Sequence, residues 1–222
     1  MFVVFDYDGV IIDSIPAVRR AVIDLHTFAG LAPPTDTEVH AWLGPSMGKS
    51  VTRTIAAHGL DSNAAQRLMD RYFESYVAAA SIETGVFDEV VEIIDELTGN
   101  NVPIALATMK AHTEMKAMPA PMPGIDRFDI VEAPEHHGGG WTKTQLVAQA
   151  VHRLAAGGAT GQGWMVGDRA SDIEAGHVNG LTTIGVAWGS SVVTELTDAG
   201  ADYLARSPAE LLKTLRDTGY NR

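Results

Sequence analysis

Cysteine is absent from the 222 residues of the chain. Its absence excludes a disulfide framework, a thiolate nucleophile and a metal site with cysteine ligands. A chain without disulfides is compatible with a reducing compartment such as the cytoplasm.

Long apolar runs are also missing. No uncharged run approaches the roughly 18 residues that a membrane-spanning helix needs. The first residues, MFVVFDYD, become acidic by position 6 and lack the basic start and the cleavage pattern of a signal peptide. We therefore expect a soluble cytoplasmic protein with no membrane partner.

Basic residues are scarce, since 16 Lys and Arg against 28 Asp and Glu give a formal net charge of −12. Binding to a nucleic-acid backbone needs clustered Lys and Arg, so we expect no nucleic-acid partner. A small anionic substrate is still allowed, because one local site can oppose the global sign. A hydrophobic content of 45% indicates a globular fold, and the length suits one large domain or a domain plus an insert.

Short apolar runs alternate with helical patterns along most of the chain. The predicted strands are FVVF at 2–5, VPIALA at 102–107, GWMV at 163–166 and TTIGVA at 182–187, with weaker candidates at 128–131 and 202–204. The predicted helices are 88–98, 142–156, 170–178 and 208–217. This alternation predicts an α/β fold with a doubly wound, Rossmann-like parallel sheet.

One region breaks the alternation. Residues 15–82 contain no convincing strand and have the pattern of several helices, for example 16–29 and 62–80, separated by APPTD and GLDS. We therefore predict an all-helical domain at 15–82, inserted after the first strand into a core formed by 1–14 and 83–222.

Polar residues follow the predicted strands at the points where ligands bind in such sheets. Asp6 and Asp8 follow the first strand, and Thr108 follows VPIALA. The remaining candidates are Lys143, which opens a helix, and Asp168 and Asp172 in GDRASD. Acids, a hydroxyl and a lysine are thus expected at one edge of the sheet.

This set of residues has one economical chemical interpretation. Clustered carboxylates suit a hard cation such as Mg²⁺, and Thr108 and Lys143 can hold phosphate oxygens. An aspartate can attack phosphorus and form an aspartyl-phosphate, while a second acid carries the proton. The spacing of two places Asp6 and Asp8 on one side of an extended segment, and Gly9 allows a sharp turn beside the phosphate.

FDYDGVIIDS at 5–14 resembles the first motif of the haloacid dehalogenase superfamily, D-x-D-G-(T/V)-x-x-D-(S/T) after a hydrophobic strand. Thr108 resembles the second motif, Lys143 the third and GDRASD the fourth, G-D-x-x-x-D. The insert after the first motif resembles the helical cap of this family. The tail from IGVAWGSS onward and GPS at 44–46 resemble phosphoglycolate-phosphatase-like members.

The resemblance implies a role for each residue. Asp6 is expected to be the nucleophile and a metal ligand, and Asp8 the general acid and base that also binds metal through its backbone carbonyl. Thr108 and Lys143 are expected to bind the transferred phosphoryl group. Asp168 is expected to be a direct Mg²⁺ ligand, and Asp172 a second ligand or a residue that hydrogen-bonds to the ligands from the outer shell. Thr144 stands where relatives usually have proline, and Lys110 competes with Lys143 for the third-motif role.

The implied activity is a Mg²⁺-dependent phosphatase for a small organic phosphate such as 2-phosphoglycolate, working as a monomer or a homodimer. Dehalogenating and phosphonate-cleaving members lack the second acid, whereas this chain has Asp8. β-Phosphoglucomutases carry a histidine ten residues after that acid, where this chain has Val18, so a mutase is disfavoured. Pyrophosphate hydrolysis remains open.

Two alternatives come from outside this enzyme class. A phospho-accepting receiver domain also combines acids, Mg²⁺, a threonine and a lysine, but its acceptor follows the third strand and it has no large helical insert. A catalytically silent binding module on the same fold is the other alternative, and the intact acids argue against it.

The stretch GPSMGKS at 44–50 is superficially like a P-loop, which requires four residues between its glycines and a preceding strand. Only three residues separate Gly44 from Gly48, and the preceding EVHAWL is helical in pattern. We expect a loop over the active site, from which Ser46 or Lys49 could touch the leaving group of the substrate.

Overall fold

The structure is a computed structural model, and it describes residues 1–117, 124–136, 140–190 and 192–217. The strands are β1 (Phe2–Phe5), β2 (Ile12–Asp13), β3 (Gly85–Val86), β4 (Ile104–Ala107), β5 (Val131–Glu132), β6 (Gly163–Gly167), β7 (Thr182–Val186) and β8 (Tyr203–Ala205). Within these ranges six of them form one parallel sheet in the order β5–β4–β1–β6–β7–β8. The predicted fold class is confirmed.

The first strand lies in the middle of this sheet. Val3 pairs with Ile104 on one side and with Trp164 on the other, so β1 is hydrogen-bonded along both edges. All of its residues are buried, which explains why the run FVVF is apolar without alternation. The carboxyl end of β1 therefore lies between the carboxyl ends of β4 and β6.

Helices cover both faces of the sheet. They are α1 (Ile15–Phe28), α2 (Asp36–His40), α3 (Met47–His58), α4 (Ala65–Glu83), α5 (Asp88–Gly99), α6 (His112–Ala117), α7 (Lys143–Ala156), α8 (Ala170–Val178), α9 (Val193–Asp198) and α10 (Pro208–Leu215). Val3 and Phe5 pack with residues of α5 and α10, whereas Phe2 and Val4 pack with residues of α7 and α8. Because side chains alternate along a strand, β1 serves two separate hydrophobic cores.

A third hydrophobic cluster lies among helices α1 to α4 and their connections, with Leu25, Trp42 and Tyr76 among its buried residues. A short antiparallel pair, Asp13 with Gly85 and Ile12 with Val86, joins the two chain segments on either side of these helices. The arrangement is compatible with an insert at 15–82, referred to below as the helical insert. The exact division into 1–14, 15–82 and 83–222 stays a prediction.

Most predicted element boundaries agree with the structure to within one or two residues, and three differences are informative. The strand predicted at 102–107 begins at Ile104, because Pro103 lacks the N–H that a ladder needs, although its carbonyl still accepts from Val3 N at 3.0 Å. The strand predicted at 128–131 is Val131–Glu132, preceded by the 3₁₀ turn Ile125–Arg127. The helix predicted at 62–80 begins at Ala65, after a 3₁₀ turn at Ser62–Ala64.

Among the described helices none combines the length and the hydropathy needed to cross a membrane. The cytoplasmic location and the monomeric or homodimeric state stay predictions.

Candidate active site

The turn after β1 sets the position of the first acid pair. The backbone N–H of Asp6 donates to the carbonyl of Val166 at 2.9 Å, which extends the pairing of β1 with β6 to the acid itself. The chain then turns at Gly9, whose φ is +78°. A Cβ atom at Gly9 would lie 2.1 Å from Asp168 Oδ2, so only glycine fits both the conformation and the space.

Three of the predicted acids form a buried cluster. Carboxylate oxygens of Asp6, Asp168 and Asp172 all lie within 4.8 Å of one another. Asp168 Oδ2 accepts hydrogen bonds from the N–H and the hydroxyl of Ser190, both at 2.6 Å, and Asp172 Oδ2 accepts from Arg169 N at 3.0 Å. These bonds hold the two carboxylates in place and turn their other oxygens toward the cluster.

The cluster suits a hard divalent cation. Within the described part of the chain, the buried Asp168 Oδ1 has no hydrogen-bond partner, which is unusual for a buried carboxylate oxygen. Oxygen ligands from carboxylates are what Mg²⁺ prefers, and an ion there would satisfy this atom. The Asp8 side chain is not part of the cluster, and its expected contact through the backbone carbonyl stays a prediction.

Lys143 is the cation that the structure places against this cluster. Its Nζ lies 2.7 Å from Asp6 Oδ1 and 2.9 Å from Asp172 Oδ1, and it donates to the carbonyl of Ala107 at 2.9 Å. Thr142 caps α7 and orients its first residue, so the lysine reaches the site although threonine follows it. Burial alone would lower the pKa of Lys143, but the negative charges of Asp172 and Asp6 outweigh burial. The net pKa lies above its ordinary value, and the amine stays charged.

Asp6 and Asp168 are less easily ionised than ordinary carboxyls, because their pKa values are raised. Burial raises the pKa of Asp6 well above its usual value, Lys143 lowers it, and the charges of Asp172 and Asp168 raise it again. Burial and the charge of Asp172 raise the pKa of Asp168 to about 6, against the hydrogen bonds from Ser190. A bound cation would favour the ionised form of these carboxyls.

Lys110 lies on the other side of the acid pair and faces Asp8. Its buried Nζ is 3.0 Å from Asp8 Oδ1 and 3.9 Å from Glu114 Oε1, and it donates a short hydrogen bond to the hydroxyl of Tyr76. The sequence leaves Lys110 and Lys143 as competitors for one role. In the structure each lysine contacts a different aspartate of the pair, Lys110 contacting Asp8 and Lys143 contacting Asp6.

Thr108 lies between these two groups, at the end of β4. It is buried, its N–H donates to Glu132 O at 2.9 Å, and its hydroxyl accepts from Lys110 N at 3.1 Å. Its side chain lines the same cavity as Asp6 and Asp8. The structure thus brings Thr108 together with the other five predicted site residues, Asp6, Asp8, Lys143, Asp168 and Asp172.

A cavity of about 100 Å³ lies above these residues, between the sheet edge and the helical insert. The insert contributes Ile15, Val18, Trp42, Leu43, Gly44, Pro45, Ser46, Met47, Tyr72 and Tyr76 to its lining. Ser46 lines this cavity and also a neighbouring one, whereas Lys49 lines only the neighbouring one of these two. The contact of either residue with a leaving group stays a prediction. The element directly before Gly44 is helix α2, not a strand, and the segment is therefore not a P-loop.

Arg169 joins the two parts of the molecule and is not identified by the sequence reasoning. Its Nη1 donates to the carbonyl of Leu43 in the insert at 2.7 Å, and its Nε donates to Glu195 Oε1 at 2.8 Å.

Ser190 is another site residue that the sequence reasoning misses, although it follows strand β7 and the strand-end rule points to it. No sequence pattern identifies Tyr76 as a site residue, because it lies in the middle of helix α4 and not after a strand.

Comparison with known proteins agrees with this geometry. Residues 3–186 match the family model described as haloacid dehalogenase-like hydrolase. A tyrosine-protein kinase, PtkA of Mycobacterium tuberculosis, is 26% identical over 191 residues, which cover 84% of this chain and 62% of the kinase. This chain thus spans less than two thirds of the length of that relative.

A phosphoglycolate phosphatase of Yersinia pseudotuberculosis is 25% identical over 218 residues, which cover 96% of this chain and 92% of that protein. The crystal structure of a predicted phosphatase from Clostridium acetobutylicum superposes with a TM-score of 0.80 at 23% identity, over 97% and 98% of the two chains. The expected family is confirmed, and its relatives include a protein named phosphoglycolate phosphatase. The chain belongs to the haloacid dehalogenase-like hydrolase family.

Proposed function

We propose that the chain is a Mg²⁺-dependent phosphatase for a small organic phosphate monoester, acting through an aspartyl-phosphate on Asp6. The observation that carries the proposal is the different surroundings of the two acids. Both line the cavity, but Asp6 contacts Lys143 and belongs to the acid cluster, whereas Asp8 lies outside the cluster. Asp6 is thus surrounded as a nucleophile needs, and Asp8, held by Lys110, lies where it can exchange a proton with a substrate in the cavity.

In the first step, a carboxylate oxygen of Asp6 attacks phosphorus and the bond from phosphorus to the ester oxygen breaks. The protonated Asp8 carboxyl gives its proton to the departing alkoxide, which leaves as the alcohol. Lys143 and Thr108 hold the oxygens of the phosphoryl group during the transfer.

In the second step, water attacks phosphorus and gives a proton to the Asp8 carboxylate. The bond between phosphorus and Asp6 breaks, inorganic phosphate is released, and both acids regain their starting protonation. Phosphatases of this family generally use a divalent metal. Asp6, Asp168 and Asp172 would hold the ion, which neutralises charge on the phosphoryl oxygens.

The substrate is proposed to be a compact phosphate ester such as 2-phosphoglycolate. The volume of about 100 Å³ is small beside the roughly 300–1,000 Å³ of pockets that take drug-sized ligands. A relative named phosphoglycolate phosphatase supports a small organic phosphate. A kinase reaction like that of PtkA would need room for a nucleotide and a protein side chain. Val18 is buried and apolar in the cavity lining, which gives a mutase no second proton carrier there.

The test is phosphate release from a panel of compounds, with Mg²⁺ and with chelator. The panel contains 2-phosphoglycolate, sugar phosphates, nucleotides and pyrophosphate, and ATP with a tyrosine peptide tests kinase activity. We expect Mg²⁺-dependent release from a small monoester, and none from the Asp6→Asn variant. Release from pyrophosphate alone, or transfer to the peptide, would contradict the proposal.

A further inference from the structure

Three helices of the insert bring two histidines and a glutamate together. His26 lies in the last turn of α1, Glu38 in α2 and His58 at the end of α3. One nitrogen from each imidazole and one carboxylate oxygen lie within 4.8 Å of one another. This group is separate from the acid cluster at the sheet edge and has no part in the proposed reaction.

The tautomer of His26 is fixed by its surroundings. The ring is buried, and its Nδ1 lies 2.9 Å from the carbonyl oxygen of Ala32. A carbonyl can only accept, so Nδ1 carries a proton, and in the neutral ring the lone pair is on Nε2. Histidine ligands of metals show this arrangement, in which one ring nitrogen donates to a carbonyl or a carboxylate and the other binds the ion.

The carboxylate of Glu38 is also oriented by hydrogen bonds, as the ring of His26 is. Its Oε2 accepts from the backbone N–H of Thr35 at 2.7 Å and from the Thr35 hydroxyl at 2.8 Å. Its Oε1 lies 3.1 Å from His58 Nε2. Ligands on tetrahedral zinc, with bonds of about 2.0–2.1 Å, are about 3.3 Å apart, so this pair already has the spacing that zinc requires.

An ordinary ion pair does not account for the whole group. His58 and Glu38 are partly exposed, at 27% and 36% of their side chains, and such a pair contributes little to stability. The buried His26 ring packs edge-to-face on His58, with centroids 5.3 Å apart. Two imidazoles and one carboxylate suit Zn²⁺ or a related transition metal rather than Mg²⁺, and the exposed side leaves room for water as fourth ligand.

We propose that His26, Glu38 and His58 form a site for a transition-metal ion of the zinc class. The ion joins the ends of α1 and α3 to α2. The connection between α2 and α3 includes Leu43, Gly44 and Ser46, which line the active-site cavity, so the ion would fix the helices from which this loop extends.

The test uses Co²⁺ as a spectroscopic substitute for zinc, added to the metal-free protein in the presence of excess Mg²⁺ to fill the acid cluster. Nitrogen-bound Co²⁺ of low coordination number absorbs visible light far more strongly than Co²⁺ in an octahedral oxygen site. We expect an intense band in the wild type at one equivalent. His58→Asn and Glu38→Gln are expected to weaken Co²⁺ binding by at least about tenfold. The amide of Glu38→Gln can still accept from Thr35.

The matched control is His152→Asn, which removes an exposed histidine from α7 and is expected to bind Co²⁺ like the wild type. Thermal unfolding gives a second measurement, in which Zn²⁺ raises the unfolding temperature of the wild type and of His152→Asn but not of His58→Asn. A wild type without the intense band, or His58→Asn and Glu38→Gln variants that bind Co²⁺ like the wild type, would overturn the proposal.

Discussion

The two buried lysines of the active site have different neighbourhoods. Lys143 lies within the α/β part of the molecule, where it contacts Asp6, Asp172 and the end of β4. Lys110 contacts Asp8 and also donates to Tyr76, which belongs to α4 of the helical insert.

This difference indicates how the proposed work is divided. The surroundings of Asp6 are complete without the insert, whereas those of Asp8 include a residue of the insert. The attacking group would therefore be ready at all times, and the proton carrier would be fully held only when α4 is in place. The variants below change first the surroundings of Asp6 and then those of Asp8. Their activity is measured with the best substrate of the panel.

The largest effect is expected for Asp6→Asn. The amide is nearly the same size as the carboxylate but is a poor nucleophile, so kcat should fall by on the order of 10³ or more. Phosphate release measures the loss, and circular dichroism with thermal unfolding checks that the variant is folded. Full activity in a folded variant would rule out Asp6 as the nucleophile.

Lys143→Met is expected to lower kcat by about 10²–10³, the effect seen when a group that stabilises transition-state charge is removed. It should also lower the affinity for phosphate as a product inhibitor, because the lysine lies beside the nucleophile. Steady-state kinetics with added phosphate measures both. A variant with the wild-type kcat would show that another cation performs this task.

Lys110→Met is expected to lower kcat by about tenfold only, because it disturbs the position of Asp8 and leaves Asp6 untouched. Lys116→Met is the matched control, since that lysine is exposed on α6 and should not affect activity. An equal loss in Lys110→Met and Lys143→Met would contradict the division between the two lysines.

Tyr76→Phe tests whether the insert acts through Lys110, and a loss of a few-fold in kcat is expected from one hydrogen bond. Combined with Lys110→Met, it should add almost nothing, since both changes break the same contact. Additive losses in the double variant would show that Tyr76 acts by a different route.

The smallest expected effect is on the free energy of unfolding, and it comes from Asp168 in the acid cluster beside Lys143. The pKa of Asp168 is about 6 in the folded protein, above its ordinary value of 3.8, so between these values the folded state binds more protons than the unfolded state. Stability of the metal-free protein should therefore fall as pH rises through this window. Mg²⁺ should reduce the fall, and thermal unfolding with chelator and with Mg²⁺ across the window measures it. A metal-free protein that gains stability over the same window would contradict the assignment.

The sequence predicts most of the sheet and the acid cluster for a physical reason. Buried parallel strands are continuous apolar runs, and the residue after each run must lie at the carboxyl edge, so Asp6, Thr108 and Asp168 can be placed without coordinates. Lys143 follows from its position at the start of a helix in the same series.

The contacts of Lys110 cannot be predicted from the positions of strand ends. Its contact with Tyr76 spans 34 residues and depends on how α4 lies over the sheet edge. The contact of Arg169 with Leu43 and the meeting of His26 with His58 likewise depend on tertiary packing, which neither periodicity nor spacing encodes.

The most direct test of the proposed mechanism is pre-steady-state turnover of p-nitrophenyl phosphate by Asp8→Asn. This leaving group needs no proton, so transfer to Asp6 should proceed while hydrolysis is slowed by the missing base. We expect a burst of one nitrophenolate per enzyme and a hydroxylamine-sensitive phosphate on Asp6 after acid quenching. No burst and no phosphoenzyme, or the same phosphoenzyme in Asp6→Asn, would contradict it.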